Sequence, residues 1–377
     1  YSSLASQNFT TATNSYNVGV GTSAGGAVTT GINNTIVGGL AGDALTDADY
    51  NTAVGMAALS TDTLGSRSTA IGYAALNNQA YTTATDSHNV AVGNNAGAAV
   101  TTGIRNVLLG STAGDALTDA DYNVAVGMGA LTRDLNGSRT TALGYSTLYN
   151  QNFTTATDSF NTAVGFQTGY NVTTGIKNTL VGADVGDAIT TGDFNSAFGY
   201  NALSQETAGT RSVAIGSSAL TTQNVGGGTT VYNTAVGHIA GFAMTTGIYN
   251  TLIGGAAGDA LTDADYNVAV GTSSLSSDTV GSRSVAIGFQ ALKEQDMGTA
   301  QNSLNTAVGT LAGKEITTGT QNTLIGASAG DALTDANLNT AVGQAALSSD
   351  TRGTRTTALG MGALQNQNFT TQLASNN

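Results

Sequence analysis

The 377-residue chain has no proline, no cysteine and no tryptophan, and only 9% of its residues are charged. Without cysteine there is no disulfide framework, no thiol chemistry and no thiolate metal site. Charge this sparse falls far below the usual quarter of a globular chain. Eleven basic residues stand singly along the sequence against 24 acidic ones, for a net charge of −13. That balance opposes binding to nucleic-acid phosphates or anionic lipid surfaces. Apolar runs extend only a few residues, so no segment can insert in a bilayer as a helix. Chemistry is equally scarce. His88 and His238 are the only histidines, and neither belongs to a recurring site. Asp86-Ser87-His88 has triad residue types, but adjacent residues cannot adopt triad geometry. With no phosphate loop, zinc spacing or poised nucleophile, the protein is expected not to be an enzyme.

What the chain has instead is one pentapeptide, Asn51-Thr52-Ala53-Val54-Gly55, restated twenty times. The closing glycines fall at 21, 38, 55, 72, 93 and onward to 360, in gaps of 17, 17, 17 and 21 that cycle to the end. Four units make a 72-residue superrepeat, and five superrepeats fill 360 of the 377 residues. A fixed period of this kind marks a repeat array, so residues 1–377 read as one array rather than several globular domains. Tyr1 stands in phase with Tyr145, in mid-unit. The expectation is a window onto a longer protein, or else a processed subunit that stacks end to end.

Residues before each glycine alternate with the period of a short strand. The position just before it is always aliphatic or Phe, from Val20, Val37 and Val54 through Phe198 to Leu359, and is predicted to be the core. Gly55 and its equivalents suit a corner with positive φ or close backbone approach. Glycine and β-branched residues recur too densely for helix. The same strand in every unit predicts an all-β parallel β-solenoid or β-roll of about 20 coils, with a five-bladed propeller as the alternative. At about 4.8 Å per coil the array would run about 95 Å, and the insertion in every fourth coil would project about every 19 Å. Fifteen of twenty units open with Asn, as at Asn51, predicting an amide ladder in which each side chain donates to the next. Ile36, Leu108, Leu180, Leu252 and Leu324 occupy the strand position read as outward and would need cover, which points to a side-by-side homotrimer.

Three recurring groups are candidate sites. Asp43, Asp47 and Asp49 recur as Asp115, Asp119 and Asp121. Such carboxylates could ligate Ca²⁺, although Asn337 and Thr191 break the set in other copies, and capping of turn N–H groups is the simpler role. Arg67, Arg139, Arg211, Arg283 and Arg355 recur every 72 residues, each five residues after an acid (Asp62 in the first case) and one coil from Tyr50 or its equivalent. A salt bridge or cation–π pairing, within or between chains, is expected. The inserted loops each carry an apolar residue, among them Tyr81, Phe153 and Met297. These either contact a receptor or glycan, or fold back and seal the array.

Ser212-Val213-Ala214-Ile215-Gly216-Ser217-Ser218 and Ser284-Val285-Ala286-Ile287-Gly288 resemble the repeat of trimeric autotransporter adhesin heads. The 17-residue form, as in Asn161-Thr162-Ala163-Val164-Gly165 with Thr173-Thr174-Gly175 downstream, resembles repeats of phage tail fibres and bacterial surface proteins. The resemblance covers nearly the whole chain. It implies a left-handed parallel β-roll, three chains side by side, and an adhesive or fibre-shaft role outside the cell. The longer coils and the insertion in every fourth coil depart from the adhesin heads. The expected function is therefore a rigid shaft of a tail fibre or cell-surface filament, self-associating into a homotrimer and longer filaments. The alternative is an adhesin that takes a cell-surface glycan or receptor on its inserted loops.

Overall fold

A computed structural model describes residues 2–374 and shows an all-β parallel β-solenoid of about 21 turns with no helix. The phase match of Tyr1 with Tyr145 lies outside the described residues. The extra turn comes from residues ahead of the first glycine corner. Leu4 N–H donates to the Ala24 carbonyl and Asn8 N–H to that of Thr29, each at 3.0 Å. The chain divides into two compact units, 1–191 and 192–377.

In the first unit, three-residue strands run from Val18–Val20 to Thr179–Val181, each pairing in parallel with the next coil in strict register. Thr52, Ala53 and Val54, for example, oppose Thr69, Ala70 and Ile71. The second unit repeats the arrangement from Ser196–Phe198 to Thr357–Leu359. Short second ladders tie the inserted loops to the coil before them. Gly65–Ser66 pairs with Thr85–Asp86 in the first unit, and Gly281–Ser282 with Gln301–Asn302 in the second.

The corner glycine is required by its neighbour. Gly55 has φ +132°, and a Cβ there would lie 2.4 Å from the Gly72 carbonyl oxygen in the next coil. Other corners hold non-glycine residues in the left-handed region, such as Ala57, Leu59 and Arg67, with φ of 54° to 62°. Proline cannot take such φ and lacks the N–H that each coil donates to its neighbour, which accounts for its absence.

The core is the opposite strand face from the one the sequence suggests. Ala53, Ile36, Leu108, Leu180, Leu252 and Leu324 are fully buried, whereas Val20 is 56% exposed and Ile71 37%. Alternation fixes which strand residues share a face but not which face turns inward. A narrow coil accepts alanine inside the strand at most levels, with leucines such as Leu45, Leu59 and Leu76 filling the rest, and turns the aliphatic residue before each corner glycine outward. The aliphatic column before the glycine is therefore outer surface. The large second-coil residues have their cover within the coil, so they no longer argue for a partner chain.

The asparagine column is buried but broken at every fourth coil, by Ser68, Thr140, Ser212, Ser284 or Thr356, and it runs through the backbone. Asn34 Oδ1 accepts from Asn51 N–H at 2.9 Å, and Asn51 Oδ1 from Ser68 N–H at 2.8 Å. Asn51 Nδ2 crosses its own coil to the Gly65 carbonyl at 2.9 Å. Each Asn thus staples two coils and one coil's two sides. Direct amide-to-amide contacts are longer, as from Asn34 to Asn17 at 3.3 Å.

Candidate functional site

The turn acids separate into different tasks. Asp47 accepts from the Thr30 hydroxyl at 2.5 Å and Asp49 from Ile32 N–H at 2.8 Å. Asp119 and Asp121 repeat this with Thr102 and Ile104 N–H. These carboxylates cap the preceding coil. Asp43 and Asp115 do neither: one carboxylate oxygen of each is buried with no hydrogen-bond partner, as are those of Asp187, Asp259 and Asp331. Burial raises the carboxyl pKa of all five, and pushes Asp115 up to about 6. Among the described residues, no three His, Cys, Asp or Glu side chains converge to hold a metal ion.

The recurring arginines share one left-handed corner. Stacking also brings Arg105 and Lys177 there, so the first unit has Arg67, Arg105, Arg139 and Lys177 at this position, and the second Arg211, Arg283 and Arg355. Basic residues far apart in sequence thus form a column, interleaved with rings. Arg67 lies 5.0 Å from the Tyr50 ring centroid, Arg211 5.1 Å from Phe194 and Arg283 5.2 Å from Tyr266. The ion-pair partner is not the acid five residues earlier. Arg67 Nε meets Asp86 at 3.0 Å and Arg139 pairs with Asp158, both partners lying on the inserted loop. These exposed pairs contribute at most about 1 kcal/mol each.

The displaced acids are buried inside the coil. Asp62 Oδ1 accepts from Gly65 N–H at 3.0 Å and Tyr81 N–H at 3.3 Å, and Oδ2 from Gln79 Nε2 at 2.6 Å. Gln79 also donates to Ser68 Oγ and accepts from Asn89 Nδ2. Asp134 with Gln151, Glu206 with Gln223, Asp278 with Gln295 and Asp350 with Gln367 repeat the junction. The glutamines also recur every 72 residues, a signal open to sequence reading and missed there. This cluster holds the inserted loop down. Tyr81 is 5% exposed, Phe153 6% and Met297 4%, and Tyr81 donates its hydroxyl to the Gly103 carbonyl at 2.7 Å. Burial raises the Tyr81 phenol. The three residues seal the coil and are not free contacts.

What is exposed is the outer sheet face. It carries Thr52 and Val54 and then Met56 just past the glycine, with Thr69, Ile71 and Tyr73 in the next coil. Met56, Tyr73, Met128, Tyr145 and Phe166 in the first unit, and Tyr200 and Phe289 in the second, are all large and exposed. None of these three positions carries Lys, Arg, Asp or Glu in any of the twenty repeats. Asn51 and Gly55 are structural positions, whereas Val54 belongs to this face. No helix of the described residues is long and apolar enough to cross a membrane. No known family model matches the chain, and no curated protein sequence does so either.

Proposed function

We propose that the chain is a structural segment of an extracellular fibre, a shaft of the phage tail-fibre or bacterial surface-filament kind, and performs no reaction. It works as a side-by-side homotrimer that extends into longer filaments. The observation that carries this reading is the outer sheet face: three uncharged, largely apolar positions per coil in a chain of net charge −13. An exposed surface of this kind, present in each unit, marks an interface, and removal of charge from its centre is the compositional signature of one. A second copy of the same chain presents an equally long, equally periodic face. Stacked identical coils supply stiffness, since each coil is stabilised by its neighbours.

The test is sedimentation equilibrium with electron microscopy of the purified chain. Wild type should sediment as a trimer. Val164→Asp or Phe166→Asp, both on the outer face, should give monomers with an unchanged far-ultraviolet spectrum. Monomeric wild type, or variants that remain associated, would end the reading.

A further inference from the structure

The repeats are strict enough that a local departure from them is informative. One occurs in the first unit, six residues past the corner glycine. At that position the third coils of both units carry Thr61, Gln205, Ser277 or Ser349, but one in the first unit has Arg133. First coils carry Ala27, Ala99, Ala243 or Glu315, but the coil beginning at Gly165 has Asn171. One position earlier, where other repeats carry Asn77, Thr221 or Lys293 and Ala98, Phe242 or Lys314, this stretch has Tyr149 and Tyr170. All four departures fall on neighbouring coils and open one groove.

The groove has a volume of about 630 Å³, within the roughly 300–1,000 Å³ of small-molecule sites. Arg133, Asn150, Asn152, Asn171, Thr173 and Thr190 line it, with Ala188 as the apolar contribution. Its parts are held in place. The Arg133 guanidinium lies 5.3 Å from the Tyr149 ring centroid, and Tyr149 stacks on Tyr170 at 5.2 Å with ring planes 5° apart. Asn150 Nδ2 donates to Asn171 Oδ1 at 3.1 Å, and Asn171 Nδ2 to the Asp187 carbonyl at 2.9 Å. Arg133 itself makes no ion pair or hydrogen bond among the described residues, and neither does the Asn152 side chain. Arg67 and Arg139 instead meet carboxylates of the inserted loops, and Arg105 the Tyr122 hydroxyl.

We propose that this groove binds an acidic sugar, a pyranose bearing a carboxylate such as a uronate, with Arg133 taking the carboxylate and the amides of Asn150 and Asn152 taking ring hydroxyls. A planar guanidinium fixed on a ring and lacking an acceptor matches a carboxylate in two parallel N–H···O bonds. Neutral amides that both donate and accept match hydroxyls, which do the same. A peptide acid would instead ask for apolar side-chain pockets, and Ala188 alone does not make one. The site lies on the turn rather than on the outer sheet face, so it goes beyond the shaft reading and stands or falls separately from it.

The test uses the whole chain and digalacturonate, with its dimethyl ester as the uncharged control, followed by calorimetry and saturation-transfer NMR. Digalacturonate should bind saturably and the ester at least tenfold more weakly. Arg133→Ser installs the residue found at Ser277 and Ser349, and Asn171→Ala the one found at Ala27 and Ala99, so both should fold. Arg133→Ser should lose about tenfold or more of the affinity for the acid while leaving the ester unchanged, as expected for one charge-assisted contact. Asn171→Ala should weaken both ligands several-fold by releasing Asn150. No saturable binding of digalacturonate, equal binding of its ester, or an Arg133→Ser variant of wild-type affinity would each overturn the proposal.

Discussion

Asp115 and Asp134 sit on adjacent coils of the same unit, and the fold treats them in opposite ways. Asp134 is fully buried and meets three donors: Gly137 N–H and Phe153 N–H at 3.0 Å, and Gln151 Nε2 at 2.6 Å. Asp115 is only partly buried, yet one of its oxygens has no donor at all. The same contrast recurs in every superrepeat, between the partnered acids at 62, 134, 206, 278 and 350 and the orphaned ones at 43, 115, 187, 259 and 331. Depth of burial therefore does not tell whether a carboxylate stabilises a coil. What decides is whether the backbone turns donors toward it.

Removing the partnered acid should do most damage. Asp134→Ala would strand three buried donors and should cost about 3 kcal/mol or more locally, at roughly 1–3 kcal/mol for each unsatisfied group. Because a repeat array does not unfold as one two-state unit, hydrogen exchange of the Gly137 and Phe153 amides is the appropriate measurement. Asp115→Ala should leave exchange nearly unchanged, and equal effects at the two sites would break the comparison. Asp134→Asn should fall between, about 1–2 kcal/mol, since it sets an amide donor against the Gln151 amide.

Acidification comes next in size. Burial raises the Asp115 carboxyl to about 6, and raises Asp43, Asp187, Asp259, Asp331, Asp134 and Asp278 as well. An unfolded Asp ionises near about 3.9. The stability contributed by the retained proton is full below that value and lost as pH rises through about 6. Calorimetry should show a higher melting temperature at pH 5 than at pH 7, and a flat profile would count against the orphaned oxygens. The smallest effect is Asp115→Asn. It should raise the pH 7 melting temperature slightly and weaken its dependence between pH 5 and 7.

The period, the parallel stacking and the corner glycines were legible in the sequence because they rest on exact recurrence, and corners from Gly21 to Gly343 repeat the steric demand seen at Gly55. The side of the sheet was not. Thr52-Ala53-Val54 alternates in either sense, and hydrophobicity favours the wrong one, since valine outranks alanine while the coil interior has little room. The fate of Arg67 was half legible: its closeness to Tyr50 follows from phase, but its partner Asp86 is delivered by an inserted loop whose path only Asp62 and Gln79 explain. Tyr81, Phe153 and Met297 read as exposed loop residues because nothing local shows that a buried carboxylate draws the loop back. The groove at Arg133 was open to sequence reading as a break in pattern, but attention to recurrence hides whatever occurs once.

The Asp62–Gln79 junction joins a third coil to a fourth across 17 residues. It makes the length of the repeat array a discrete variable. A duplication of 72 residues inserts a complete set of junctions and leaves every existing bond intact, whereas one extra 17-residue coil slipped between positions 62 and 79 would separate a carboxylate from its amide. Unequal crossing-over among the five near-identical segments can therefore lengthen or shorten the molecule in whole superrepeats without disturbing the bonds that hold any of them.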